Sequence, residues 1–131
     1  MTAKVGTNRA VQAVVTNEQK QRFADALDRV AGDTELLIAI ASLVSEDAPQ
    51  VFENLKSQLT ADELDDVAAT GHQLKGMLST FETEGPVLCL QELIHAARRG
   101  DGAEAKELLH RCELEINTLI YQIRQLCHPD D

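Results

Sequence analysis

An all-α fold, an antiparallel up-and-down four-helix bundle with an additional short N-terminal helix, is what this sequence predicts. Three observations lead there. Apolar residues recur at steps of three and four through most of the chain, the spacing that lines one face of a helix. Aromatic residues make up only 3% and Trp is absent, so Leu, Ile, Val and Ala must build the core, which favours helices over packed strands. The periodic runs are joined by short connections containing Gly or Asp, as antiparallel neighbours require. With 131 residues the chain reads as one domain, burying on folding roughly two-thirds of the surface its unfolded form exposes.

Residues 1–15 lack a strong period and are expected to be a flexible tail, with the bundle spanning 16–128. Thr16 and Gln19 have capping-box spacing, and Phe23, Leu27 and Val30 follow at helical steps until Gly32, giving a first, short helix. Asp33 or Thr34 caps a second helix, striped by Leu36, Leu37, Ile40, Leu43, Val44, Val51, Phe52, Leu55 and Leu59. Pro49 removes a donor inside it, which predicts a kink or a split near Ala48; the stripe stays in phase across the proline, which favours one kinked helix. Thr60 and Glu63 suggest a capping box for a third helix carrying Leu64, Val67, Gly71, Leu74, Leu78 and Phe81. Pro86 after Gly85 opens a fourth, with Val87, Leu90, Leu93, Ile94 and Ala97 inside and Arg98, Arg99 and Gly100 at its end. Asp101 and Glu104 start the last helix, striped by Ala105, Leu109, Cys112, Ile116, Leu119, Ile123 and Leu126 and closed by Pro129.

Asp and Glu number 22 against 12 Lys and Arg, for a formal charge of −10, so nucleic acid and anionic membrane are not expected partners. Lys4 and Arg9 precede only a short mixed stretch, Val11 to Val15, which does not read as a signal peptide, and no run has membrane-spanning length. The expected setting is cytoplasmic, and the expected state a monomer. Cys89, Cys112 and Cys127 lie in apolar stretches and are expected as small buried thiols in a reducing compartment.

The third helix holds the residues of interest. At about 100° per residue with Leu74 at zero, Leu64, Val67, Gly71, Leu78 and Phe81 fall between about −20° and 80°. On that wheel His72 lies near about 160°, Gly76 about 200°, Ser79 about 140°, Ala68 about 120°, Lys75 about 100° and Met77 about −60°. The imidazole therefore points to water. An interior glycine costs about 1 kcal/mol relative to alanine. Gly71 has a packing reason, since it faces the core, but Gly76 faces solvent one turn beyond His72, where close approach of something from outside explains it. Small neighbours, Ala68, Gly76 and Ser79, keep the surroundings of the ring low, and Lys75 is the nearest cation. A neutral imidazole offers a nitrogen lone pair to an electrophile, and a phosphoryl group placed there brings about −1.5 to −2 charge for a cation to balance.

The segment Gly71-His72-Gln73-Leu74-Lys75-Gly76 resembles the His-x-Leu-Lys-Gly signature of histidine-containing phosphotransfer (HPt) domains. Phe23 to Asp33, Leu36 to Leu59 and Ala97 to Asp101 are similar to the flanks of that family, so the resemblance covers residues 20–127. It implies that His72 accepts a phosphoryl group, Lys75 stabilises it and Gly76 gives clearance to an incoming receiver domain. Ser79 matches the small residue usual one turn on. Ala68, Gln73, Met77 and Ser79 are the expected docking neighbours. The implied partners are a response-regulator receiver domain and a sensor histidine kinase in a two-component phosphorelay. The protein would be a carrier without kinase activity of its own, needing no cofactor, with Mg²⁺ held by the partner receiver. Met77 and Leu78 are bulkier than the family's usual residues after the glycine, and Glu82-Thr83 replace a frequent Gly-Ala.

Two other readings compete. One is a helical interaction module that binds receivers or other proteins without carrying phosphate, against which the intact His72, Lys75 and Gly76 speak. The other is a metal-binding bundle using His72, His95, His110, His128 and the cysteines; it is disfavoured because His72 points outward, Glu-x-x-His does not appear twice, and His110 and Cys112 cannot face the same way on one helix.

Overall fold

Helix starts are partly written into the chain as side-chain caps, and the computed structural model, which describes residues 14–129, starts three of its six helices at such caps. The elements are α1 (Asn17–Arg22), α2 (Ala24–Arg29), α3 (Thr34–Thr60), α4 (Leu64–Leu78), α5 (Pro86–Arg98) and α6 (Gly102–Cys127). Thr16 and Gln19 form the reciprocal capping box at α1. The carboxylates of Asp33 and Asp101 accept from the N–H groups of Leu36 and Glu104. Pro86 occupies the first turn of α5, after Gly85 at φ 51°, and Gly100 at φ 76° follows the end of that helix.

The four longer helices pack in chain order as an antiparallel ring, α3 on α4, α4 on α5, α5 on α6, and α6 back on α3. All four send their apolar stripes into one core containing Leu37, Phe52, Leu55, Leu74, Leu90, Leu93, Ile116 and Leu119. At about 1.5 Å per residue, α3 and α6 each run for roughly 40 Å, while α4 and α5 are about half that and share the remaining edge of the ring. α1 and α2 lie across the end of the bundle that holds the C-terminus of α6 and the α4–α5 connection. Gln19 donates to the carbonyl of Gln125 at 3.2 Å, and Arg29 donates to the carbonyl of Thr80 at 2.8 Å. Phe23 meets Phe81 edge to face, with ring centroids 5.8 Å apart.

Several expectations are corrected. The first helix is two six-residue pieces, because Phe23 leaves helical geometry (φ −112°, ψ 34°) as its ring turns into the core. Val15, read as the end of the tail, is buried; residues 1–13 of that tail lie outside the described residues. Pro49 does not split its helix: α3 is one helix through it, the alternative that the in-phase stripe favoured. Thr60 does not cap α4: it ends α3, its hydroxyl donating back to the carbonyl of Lys56, and Glu63 is the N-cap without a side-chain bond. Leu36 and Leu43, counted in the apolar stripe, are exposed, the latter 65%. Phe81 is buried but lies beyond the end of α4, which closes at Leu78 with Ser79 as C-cap. Cys112 is buried as expected, while Cys89 and Cys127 are half-buried; all three are free thiols.

Candidate functional site

Helix α4 turns Val67, Gly71, Leu74 and Leu78 inward, and this fixes its opposite side toward solvent. His72 is exposed there, with Gln73 and Gly76 exposed beside it and Lys75, Met77 and Ser79 half-buried at the borders. The two glycines divide as their faces predict. A Cβ on Gly71 would lie 2.9 Å from Ile94 Cγ1, so its absence lets α5 approach. A Cβ on Gly76 would meet nothing within 4 Å, so no contact within the protein accounts for it.

Ala68 corrects the wheel. It is only 8% exposed and belongs to the core, because α4 is flanked by both α3 and α5 and its buried arc is wider than its apolar stripe. It therefore cannot form part of an open docking surface. The Ser79 hydroxyl is also engaged, donating to the Lys75 carbonyl at 2.5 Å in the last turn.

Lys75 reaches sideways to α5, where its Nζ donates to Gln91 Oε1. The Gln91 amide nitrogen in turn lies 2.7 Å from His95 Nε2. Sequence reasoning missed Gln91 and considered His95 only as a metal ligand. The available signal was their spacing of four residues on one side of Ile94, the residue that packs against Gly71.

Other nucleophiles are poorly placed. Burial, followed by the hydrogen bond and charge of neighbouring Cys89 and the charge of Glu115, pushes the Cys112 thiol well above its usual range, which disfavours the reactive thiolate. Among the described residues no three His, Cys, Asp or Glu side chains come together as a metal-ligand set. Among them, too, no helix is long and apolar enough to cross a membrane.

What the site can do chemically is hold an imidazole out to a large reactant, with clear space one turn away and an ammonium within a side chain's swing. The family model of the Hpt domain matches residues 39–127, more than half of the chain, from within α3 to the end of α6. No curated protein and no solved structure gives a match. A bundle of this topology, bearing an outward histidine on its second long helix and matched over that span, belongs to the Hpt domain family, the histidine phosphotransfer modules of two-component phosphorelays.

Proposed function

We propose that this protein accepts a phosphoryl group on His72 and passes it to or from the aspartate of a receiver domain, acting between such regulators and a sensor histidine kinase. The observation that carries the reading is the exposed imidazole on a rigid helix with the open surface of Gly76 one turn beyond. In the transfer a ring nitrogen of His72 attacks the phosphorus of the aspartyl phosphate, and the P–O bond to the carboxylate breaks as the P–N bond forms. A Mg²⁺ held by the partner receiver would supply charge balance for the transferring group, so this chain would need no cofactor for the step, and it acts as a carrier without kinase activity of its own. Lys75 exchanges Gln91 for the phosphoryl oxygens, a charge-assisted contact of roughly 1.5 to 3 kcal/mol. Gln73, exposed next to His72, and Met77, half-buried at the edge of α4 where it packs against the core, belong to the docking surface.

Purified protein incubated with a phosphorylated receiver domain should gain acid-labile label on His72. His72→Gln should take up none while keeping its helical circular dichroism. Stable binding of receivers without any label would instead favour an interaction module that carries no phosphate.

A further inference from the structure

Gln91 joins two ionisable side chains on different helices, and the direction of its hydrogen bonds is fixed by chemistry. An ammonium has donors only, so the Gln91 oxygen, and not its nitrogen, must face Lys75. The amide nitrogen is thereby turned to His95, and because it too only donates, His95 Nε2 must accept. A ring nitrogen accepts only in the neutral imidazole, here the form with its proton on Nδ1. Lys75, Gln91 and His95 therefore form a directed chain that is compatible with one protonation state of His95.

We propose that His95 is a positioning residue that governs, through Gln91, whether Lys75 is held on α5 or released toward His72; the inference rests on phosphoryl transfer at His72. Protonation of His95 places a hydrogen on Nε2 and sets two donors face to face. The Gln91 carboxamide then rotates, offering its oxygen to the imidazolium and its NH₂ group to Lys75, which finds no acceptor left and leaves. The freed ammonium is then available to an anion on His72. With His95 neutral, Gln91 competes with the phosphoryl group for Lys75. His95 is exposed, so its proton comes from and returns to water.

The charged groups around His95 are few. Within one turn on α5 stand Glu92, Arg98 and Arg99. Helix α4, on one flank, carries Asp65, Asp66, His72 and Lys75. Helix α6, on the other, carries Glu104, Lys106 and Glu107 in the turns nearest the α5–α6 connection, and farther along Arg111 and Glu115 line a cleft with Glu92. Among the described residues, the hydrogen-bond partner of the His95 ring is Gln91.

The test compares the wild-type chain with His95→Gln, whose amide oxygen can accept at every pH, and His95→Lys, a donor throughout the working range. Each is incubated with phosphoramidate. The lone pair of a His72 ring nitrogen forms the new P–N bond, the donor's P–N bond breaks with its electron pair leaving on ammonia, and the proton on the other ring nitrogen exchanges with water. Label at His72, located by mass spectrometry, is followed across pH, and the three chains are compared as ratios at each pH. The rate for His95→Lys should exceed that for His95→Gln by roughly two- to tenfold, the equivalent of one net hydrogen bond. Wild type should move from the lysine-like rate in acid to the glutamine-like rate in alkali. A second readout needs no transfer: the Gln91 side-chain amide signals in ¹⁵N NMR should follow the His95 titration in wild type and stay still in His95→Gln. A wild-type rate parallel to His95→Gln at all pH, or Gln91 signals that ignore His95, overturns the inference. Absence of label on His72 in every chain, with Gln91 still tracking His95, instead defeats the phosphocarrier reading and leaves the linkage standing.

Discussion

Two glycines one turn and a half apart on α4 make opposite predictions. Gly76→Ala adds a methyl group to open space and removes backbone freedom from the unfolded chain, so it should raise stability by about 0.5–1 kcal/mol. Gly71→Ala drives a methyl group to 2.9 Å from Ile94 Cγ1, bonded to the branch carbon of a stiff side chain; overpacking of about 1–3 kcal/mol exceeds the helix-propensity gain, and the bundle should melt lower. Thermal denaturation of the two variants reads the contrast directly, and equal shifts would mean that the face assignment of α4 is wrong. Gly76→Leu should match Gly76→Ala in stability to within about 0.5 kcal/mol yet accept phosphoryl groups from a receiver more slowly. Normal transfer by that variant would remove the clearance role.

Helices α1 and α2 are too short to stand alone and owe their place to contacts with the bundle end. Phe23 is the main anchor, and the polar ties are Arg29 to the Thr80 carbonyl and Arg22 to Glu82 at 2.9 Å. Burial would raise the Glu82 carboxyl, but the Glu84 N–H and the Arg22 guanidinium outweigh it and hold the group below its ordinary 4.5. A carboxyl lowered in the folded state stabilises it above the unfolded value, and that contribution is lost as pH falls through the folded-state value. Because the pair is partly exposed, Glu82→Gln should cost about 0.2–1 kcal/mol near neutrality and nothing in strong acid. Melting curves of both chains across pH should therefore converge only in acid below the lowered folded-state value, where the wild-type carboxyl has taken up its proton. A gap that persists into strong acid would place the interaction elsewhere.

The formal charge of −10 is spread over a surface with few ion pairs among the described residues, Arg22–Glu82, Lys56 with Glu53 and Glu113, and Lys106–Asp62. Self-repulsion of the compact state should therefore outweigh what these bridges contribute. Raising NaCl from about 10 to 150 mM shortens the Debye length from about 30 to about 8 Å, and the melting temperature should rise. A falling melting temperature would show that the bridges dominate. Under the proposed function, the same excess of negative charge would make Lys75 the more valuable, since a phosphoryl group on His72 would add to a potential that is already unfavourable.

Periodicity and caps carry most of the fold: Asp33, Gly85-Pro86 and Asp101 begin helices where short-range chemistry says they should, and the inward and outward faces of α4 follow from residue spacing alone. The exposure of His72 and the emptiness beside Gly76 are for that reason legible in the amino-acid sequence, as properties of one helix in water. The break at Phe23, the failure of Thr60 to cap and the burial of Ala68 are not, because each depends on a neighbour that the local pattern does not contain. Phe23 bends its helix to reach Phe81 and the core, and Ala68 is covered because α4 has a partner on either flank. The chain Lys75–Gln91–His95 belongs to the same class. Its members come from two helices whose register is set by Ile94 seating against Gly71, and hydrogen bonds between helices exist only once packing has fixed that register.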